Sequence, residues 1–188
     1  CEAFKRAITI DKQSREAILS LASATFRSGD RIGAVRILER YRSSMGEDVL
    51  LHDLSARIHL GCGEPTKAEA EARRCLELEP NNVSAYGVIV QTRHFNKGDD
   101  DLLAMRNLYE HAGLSEDERA SLAFALARAV EMTGDYDAAF GYLEKANRQQ
   151  KATNRGINDK IEEKIRKIKS VFTRNFIETH HKQGYEDG

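Results

Sequence analysis

The chain has 188 residues, and its 29 lysines and arginines stand against 30 aspartates and glutamates for a formal charge of -1. That balance supplies no global field to draw nucleic acid or an anionic membrane, so any partner has to be selected locally. No apolar run approaches the roughly 18 residues of a bilayer span, and the opening CEAFKRAITI lacks the long apolar core of a secretory signal, so a cytoplasmic protein is expected.

The three cysteines, Cys1, Cys62 and Cys75, have no CxxC spacing and are expected to be free thiols. Two prolines, no tryptophan and abundant Ala, Leu, Glu, Arg and Lys favour helix throughout. The one β-branched cluster, Val88-Ile89-Val90, is too short to outweigh helical surroundings.

In chain order, residues 1–10 are expected to form a lone second helix, followed by helix hairpins at about 15–44, 48–78, 82–112 and 115–150. Gly29-Asp30 and Gly63-Glu64 fall where one helix must stop and turn back, and glycine permits the left-handed backbone that ends a helix. Pro65 suits the first turn of the next helix, where its missing N–H costs nothing. Ala34 and Ala68 open second helices with a side chain small enough for close approach, and Cys75 falls in a small buried slot. Pro80 ends a helix before Asn81-Asn82 cap the next. Ser115 and Glu118 form a capping box, starting a helix to about Met132 that is expected to be the longest of the hairpin helices. Lys151 to Gly156 is expected to be a connection, after which Ile157, Ile161, Ile165, Ile168 and Phe172 recur at helical spacing as the apolar stripe of a capping helix.

A period of 34 residues relates Phe4, Leu38 and Ala72, as well as Ala7, Tyr41 and Cys75, Ala34 and Ala68, and Gly29 and Gly63. Leu21-Ala22, Gly29-Asp30, Ala34, Leu38 and Tyr41 in one unit, then Ala56, Gly63, Ala68, Cys75 and Pro80 in the next, resemble the tetratricopeptide repeat (TPR). The resemblance implies an all-α, right-handed α-α superhelix (TPR solenoid) of about four helix hairpins with a C-terminal capping helix. The array would span 1–150, and 151–188 would hold a linker, that helix and a tail. Later units are looser, since Gly98 follows Gly63 by 35 residues and Gly134 follows Gly98 by 36.

The fourth hairpin is similar to a narrower group. Leu114-Ser115, Phe124-Ala125-Leu126, Gly134, Tyr136-Asp137, Ala139-Phe140 and Asn147 resemble the repeat that precedes the catalytic domain in bacterial TPR-sulfotransferase fusion proteins, over about a fifth of the chain. Those proteins carry Gly before that Asn, where this chain has Ala146. The resemblance implies that a sulfotransferase domain using phosphoadenosine-phosphosulfate (PAPS) follows Gly188. The chain itself would then be a supporting or substrate-presenting arm, with neither catalysis nor cofactor nor metal of its own.

Several local patterns suggest other chemistry and lack its context. Arg27-Ser28-Gly29 has no preceding strand and its neighbour Asp30 would repel phosphate, while Gly61-Cys62-Gly63 lacks a βαβ frame. His52 and His59 lie seven residues apart on one helix with no carboxylate or cysteine to complete a metal shell, and His180-His181 belong to the tail. Asp99, Asp100 and Asp101 suit a helix N-terminus better than calcium. The basic segment from Arg148 to Lys182 has no interleaved aromatics, so it is taken as a solvated face or a face for a further domain, and not for nucleic acid.

In a TPR stack the first helices line a concave surface that takes a protein or peptide. By helical spacing the candidate contacts are Glu16, Ser23 and Arg27 in the first hairpin, Asp53 and Arg57 in the second, Gln91 and His94 in the third, and Arg128 and Glu131 in the fourth. Leu19, Ser23 and Arg57 do not reproduce the carboxylate clamp of chaperone-binding TPRs. Two functions remain: a peptide-binding scaffold acting alone, and the arm of a sulfotransferase.

Overall fold

The computed structural model describes residues 15–46, 48–111, 113–153, 155–171 and 176, except for the side chains at 44, 45, 152, 153 and 155–161. The helix expected at 1–10, the side chains of Ile157 and Ile161, Phe172 and the His180-His181 pair lie outside the described residues.

The first hairpin joins α1 (Arg15–Arg27) to α2 (Arg31–Met45), and the second joins α3 (Val49–Gly61) to α4 (Pro65–Leu78). The third joins α5 (Val83–Thr92) to α6 (Asp100–His111), the fourth joins α7 (Glu116–Met132) to α8 (Tyr136–Thr153), and α9 (Arg155–Val171) follows. No strand occurs among the described residues.

Local chemistry sets these boundaries. Gly29, Gly63 and Gly134 each adopt positive φ, at 93°, 76° and 79°, ending the first helices of three hairpins in the left-handed conformation that costs other residues most. Helices α2, α3 and α5 begin on short polar side chains. Asp30 accepts from Gly33 N–H at 2.8 Å, Asp48 from Leu51 N–H at 2.9 Å and Asn82 from Ala85 N–H at 3.0 Å. Pro65 stands at the start of α4. The Ser115 capping box forms in both directions, with Ser115 N–H donating to Glu118 at 2.9 Å and Glu118 N–H to Ser115 Oγ at 3.3 Å.

Each hairpin buries its seam. Ala34, Ala68, Ala72, Ala22 and Ala56 have no exposed surface, so backbones approach where the repeat places small residues. Cys75 is fully buried beside them, and burial raises its thiol pKa to about 11, which leaves it a packing residue and no nucleophile at neutral pH. One cluster of buried side chains joins the first hairpin to α3 through Leu38, Tyr41, Leu51 and Ile58. A larger one runs from α3 to α8 through Tyr86, Phe95, Met105, Leu122 and Leu126. A partly buried, hydrogen-bonded polar cluster bridges the first two hairpins: Glu71 on α4 meets Arg42 of α2 at 2.6 Å and His52 of α3 at 2.7 Å. Burial works to raise the Glu71 pKa, but the bonds from His52 and Arg42 outweigh it and hold the carboxyl below its ordinary value.

The structure corrects three expectations. The third hairpin has no left-handed glycine: Gly98 sits in a turn closed by Asp99 N–H on the Asn96 carbonyl at 3.1 Å but does not adopt positive φ, and seven residues, 93–99, connect the helices. The longest hairpin helix is α8, with 18 residues against 17 for α7. Lys151 to Gly156 is not an open connection, since α8 runs through Thr153 and α9 starts at Arg155. Lys151 and Ala152 are good helix formers, and the first residue able to relax the backbone, Gly156, already lies inside the first turn of α9. The apolar stripe of α9 is also left unburied over its described part: Ile165, Ile168 and Val171 are about half exposed, at 45%, 56% and 54%.

Candidate interaction groove

The first helices α1, α3, α5 and α7 pack side by side in sequence order, and their outward faces make up the candidate groove. Two clefts occupy it. The first, about 430 Å³, lies between α1 and α3 and is lined by Glu16, Leu19, Ser23, Arg27, Leu50, Asp53 and Arg57. The second, about 530 Å³, lies between α3, α5 and α7, with Leu60, Val83 and Val88 as an apolar floor. Its polar rim holds Arg57, Asn81, Ser84, Gln91, Asp117 and Ser121. Arg57 is the residue common to both.

Six of the nine candidate residues therefore line a cleft: Glu16, Ser23, Arg27, Asp53, Arg57 and Gln91. Asp53 and Arg57 form an ion pair one helical turn apart, at 2.7 Å, with the arginine half exposed. Gln91 donates to the Gly87 carbonyl at 2.9 Å, which holds its amide against the groove wall. Arg128 and Glu131 are exposed on α7 but line neither cleft. His94 is not on a first helix at all: α5 stops at Thr92, and His94 lies exposed in the seven-residue link.

The reason α5 stops early is visible in its neighbours. Arg93 turns to extended backbone, at φ -144° and ψ 169°. Its guanidinium grips Asp99 with two bonds of 2.6 and 2.7 Å, and also donates to Asp101. Arg73 of α4 holds Asp101 with two further bonds of 2.7 Å, and Glu69 with one of 3.2 Å. Below this clasp the Phe95 ring is fully buried, 4.1 Å from the Arg93 guanidinium carbon. The bonds from Arg93 lower the Asp99 pKa; for Asp101 burial pushes upward but the two arginines prevail, and its pKa is lowered too. These aspartates were expected at a helix N-terminus, and Asp101 N–H does donate to Asp99 at 3.0 Å. Their larger task is to tie the third hairpin to the second.

His52 and His59 are each committed to a carboxylate, His52 to Glu71 and His59 to Glu64 at 2.6 Å. No group of three or more potential metal ligands gathers among the described residues.

Spacing also missed Gly87, which stands in the middle of α5 on the wall of the second cleft. A methyl group added there would meet nothing within 4 Å, and its backbone is not left-handed, so neither packing nor conformation requires glycine. An isolated glycine inside a helical run was the available signal.

No protein-family profile matches the chain, and comparison with curated proteins gives no match. Among solved structures, the chain is similar to a crystal structure of MamA with a TM-score of 0.58 and 17% identity, covering 82% of this chain and 88% of that one. A second crystal structure of MamA protein aligns with a TM-score of 0.51 and 17% identity, over 81% and 82% of the two chains. At that identity the likeness is one of fold, and MamA is a TPR-like helical protein. The fold is thus an all-α stack of TPR-like hairpins. No helix among the described residues is long and apolar enough to cross a membrane.

Proposed function

We propose that this chain is a protein-interaction scaffold that takes an extended peptide segment along the groove formed by α1, α3, α5 and α7. The observation that carries the reading is Gly87. A mid-helix glycine costs roughly 0.5–1 kcal/mol relative to alanine, and here no neighbour requires it. What its missing side chain provides is bare helix backbone beside an apolar floor and a polar rim, where a peptide main chain could come close. The reading assigns the groove binding and no chemistry, with neither cofactor nor metal. The free thiols Cys62 and Cys75 support a reducing compartment such as the cytoplasm.

The test uses a displayed random-peptide library, with the selected peptide titrated against variants. Gly87→Ala is expected to raise the melting temperature, and Gly87→Leu to weaken peptide binding about tenfold, near 1.4 kcal/mol. Arg57→Ala should weaken binding comparably, and Lys164→Ala should leave it unchanged. Selected peptides indifferent to both groove changes would refute the reading.

A second reading makes the stack the supporting or substrate-presenting arm of a PAPS-dependent sulfotransferase. What favours it is that Tyr136 and Phe140, two of the residues behind that resemblance, are 69% and 63% exposed and carry no packing duty here. Calorimetry with PAPS on a polypeptide continuing past Gly188 tests it, and the absence of heat from that polypeptide would remove it.

A further inference from the structure

The stack ends on two uncovered apolar faces. On α8, Tyr136, Phe140 and Leu143 follow one another at helical spacing along the edge of the face that buries Ala139 and Ala146, and are 69%, 63% and 39% exposed. On α9, Ile165, Ile168 and Val171 form the second face, and every residue from 162 to 171 is exposed. Single exposed apolar residues are ordinary, but two ordered stripes on adjacent helices are not.

The two faces suit each other. Each is a narrow stripe of the width one helix presents to another. Their margins have opposite charge: Asp137 and Glu144 flank the α8 stripe, and Lys164 and Lys167 run beside Ile168 and Val171 on α9. Yet residue 154 alone separates the two helices. An antiparallel return of α9 onto its own α8 needs a turn, for which helical connections generally use at least two residues. The α9 of a neighbouring molecule meets no such restriction.

We propose that a second copy of this chain covers the terminal face, the α9 of each copy lying on the Tyr136–Phe140–Leu143 stripe of the other. A reciprocal exchange of this kind closes on a two-fold axis, satisfies all four apolar stripes at once and leaves the concave groove open. It does not depend on the groove reading.

Light scattering on the 188-residue chain should give twice 21.2 kDa, with dissociation on dilution. Phe140→Glu, and separately Ile165→Glu with Ile168→Glu, should each give the 21.2 kDa monomer with unchanged helical circular dichroism, since these positions are about half exposed or more within one copy and belong to neither buried cluster. Glu144→Lys should weaken the dimer and Lys164→Glu, added to it, should restore it, which a mere folding defect would not do. A monomer whose α8 amides and stripe are protected from exchange would mean that α9 folds back within one molecule. A monomer with both stripes accessible would leave the face to a different occupant. A dimer that survives Phe140→Glu but is lost with Leu50→Glu in the first cleft would place the contact in the groove. Any of these three results overturns the proposal.

Discussion

Between α3 and α4 the chain reverses in three residues, with Gly63 left-handed at φ 76° and no side chain closing over it. Between α5 and α6 it takes seven residues, without a left-handed glycine, and secures them with the buried Phe95 ring under a clasp of two arginines and two aspartates. The first device is local, because everything that sets it is contained in the turn. The second is tertiary, since Arg73 reaches Asp101 from another hairpin, 28 residues away in sequence. Side by side, they show that one repeat architecture tolerates a lengthened turn when long-range contacts replace the lost local constraint.

The largest expected effect strikes the third hairpin alone. Phe95→Ala removes a ring with no exposed surface and leaves a cavity that its polar lid fills poorly, so a loss of about 3–5 kcal/mol is expected. Chemical denaturation followed by circular dichroism measures it. Hydrogen exchange should place the loss in α5 and α6, with α1 to α3 little changed, because stacked repeats interact mainly with their neighbours. A loss below 1 kcal/mol would show that the link is not the keystone of this hairpin.

The clasp comes next. Arg93→Ala leaves Asp99 and part of Asp101 without a cation in a half-buried site, and a cost of about 2–3 kcal/mol is expected, below the roughly 3–5 of a fully buried pair. Its pH dependence distinguishes it from a packing defect. Both aspartates have pKa values lowered from 3.8 in the folded protein, so the stability they supply is complete above pH 3.8 and declines as pH falls through the folded values. The gap between wild type and Arg93→Ala should therefore be constant from pH 7 to about 5 and narrow below 3.8, while the Phe95→Ala gap stays level. Melting temperatures across that range decide between them, and a gap that widens in acid would contradict the assignment.

These devices differ in how far the sequence discloses them. The glycine turns and the Ser115 box rest on residues within a few positions of one another, and the 34-residue period repeats the turns along the chain. The second and fourth hairpins even share the left-handed glycine. Arg73, Arg93 and Asp101 carry no such mark: each is an ordinary surface residue until three elements bring them together. His94 was misplaced for that reason, since helical spacing continued past Thr92 through a segment that the clasp pulls out of the helix. The cleft-lining positions of α1 and α3 follow from helical spacing because those helices keep the regular repeat. Gly87 was overlooked because a period searches for residues that recur, and this glycine does not recur.

The smallest effect returns to the turns and compares two glycines that the sequence treats alike. Gly63 has positive φ and open space around it, so Gly63→Ala should cost about 1 kcal/mol through backbone strain alone, with no steric contribution. Gly98 has equally open space and no positive φ, so Gly98→Ala should be neutral or stabilising by up to about 0.5 kcal/mol through the restricted unfolded chain. Because neither methyl group would touch a neighbour, the sign of the difference reports backbone conformation directly. Paired denaturation curves measure it at constant m-value. Equal losses at both sites would mean that Gly98 also turns the chain left-handed, and the third hairpin would then rest on the same local device as the second, with the clasp as an addition and not a replacement.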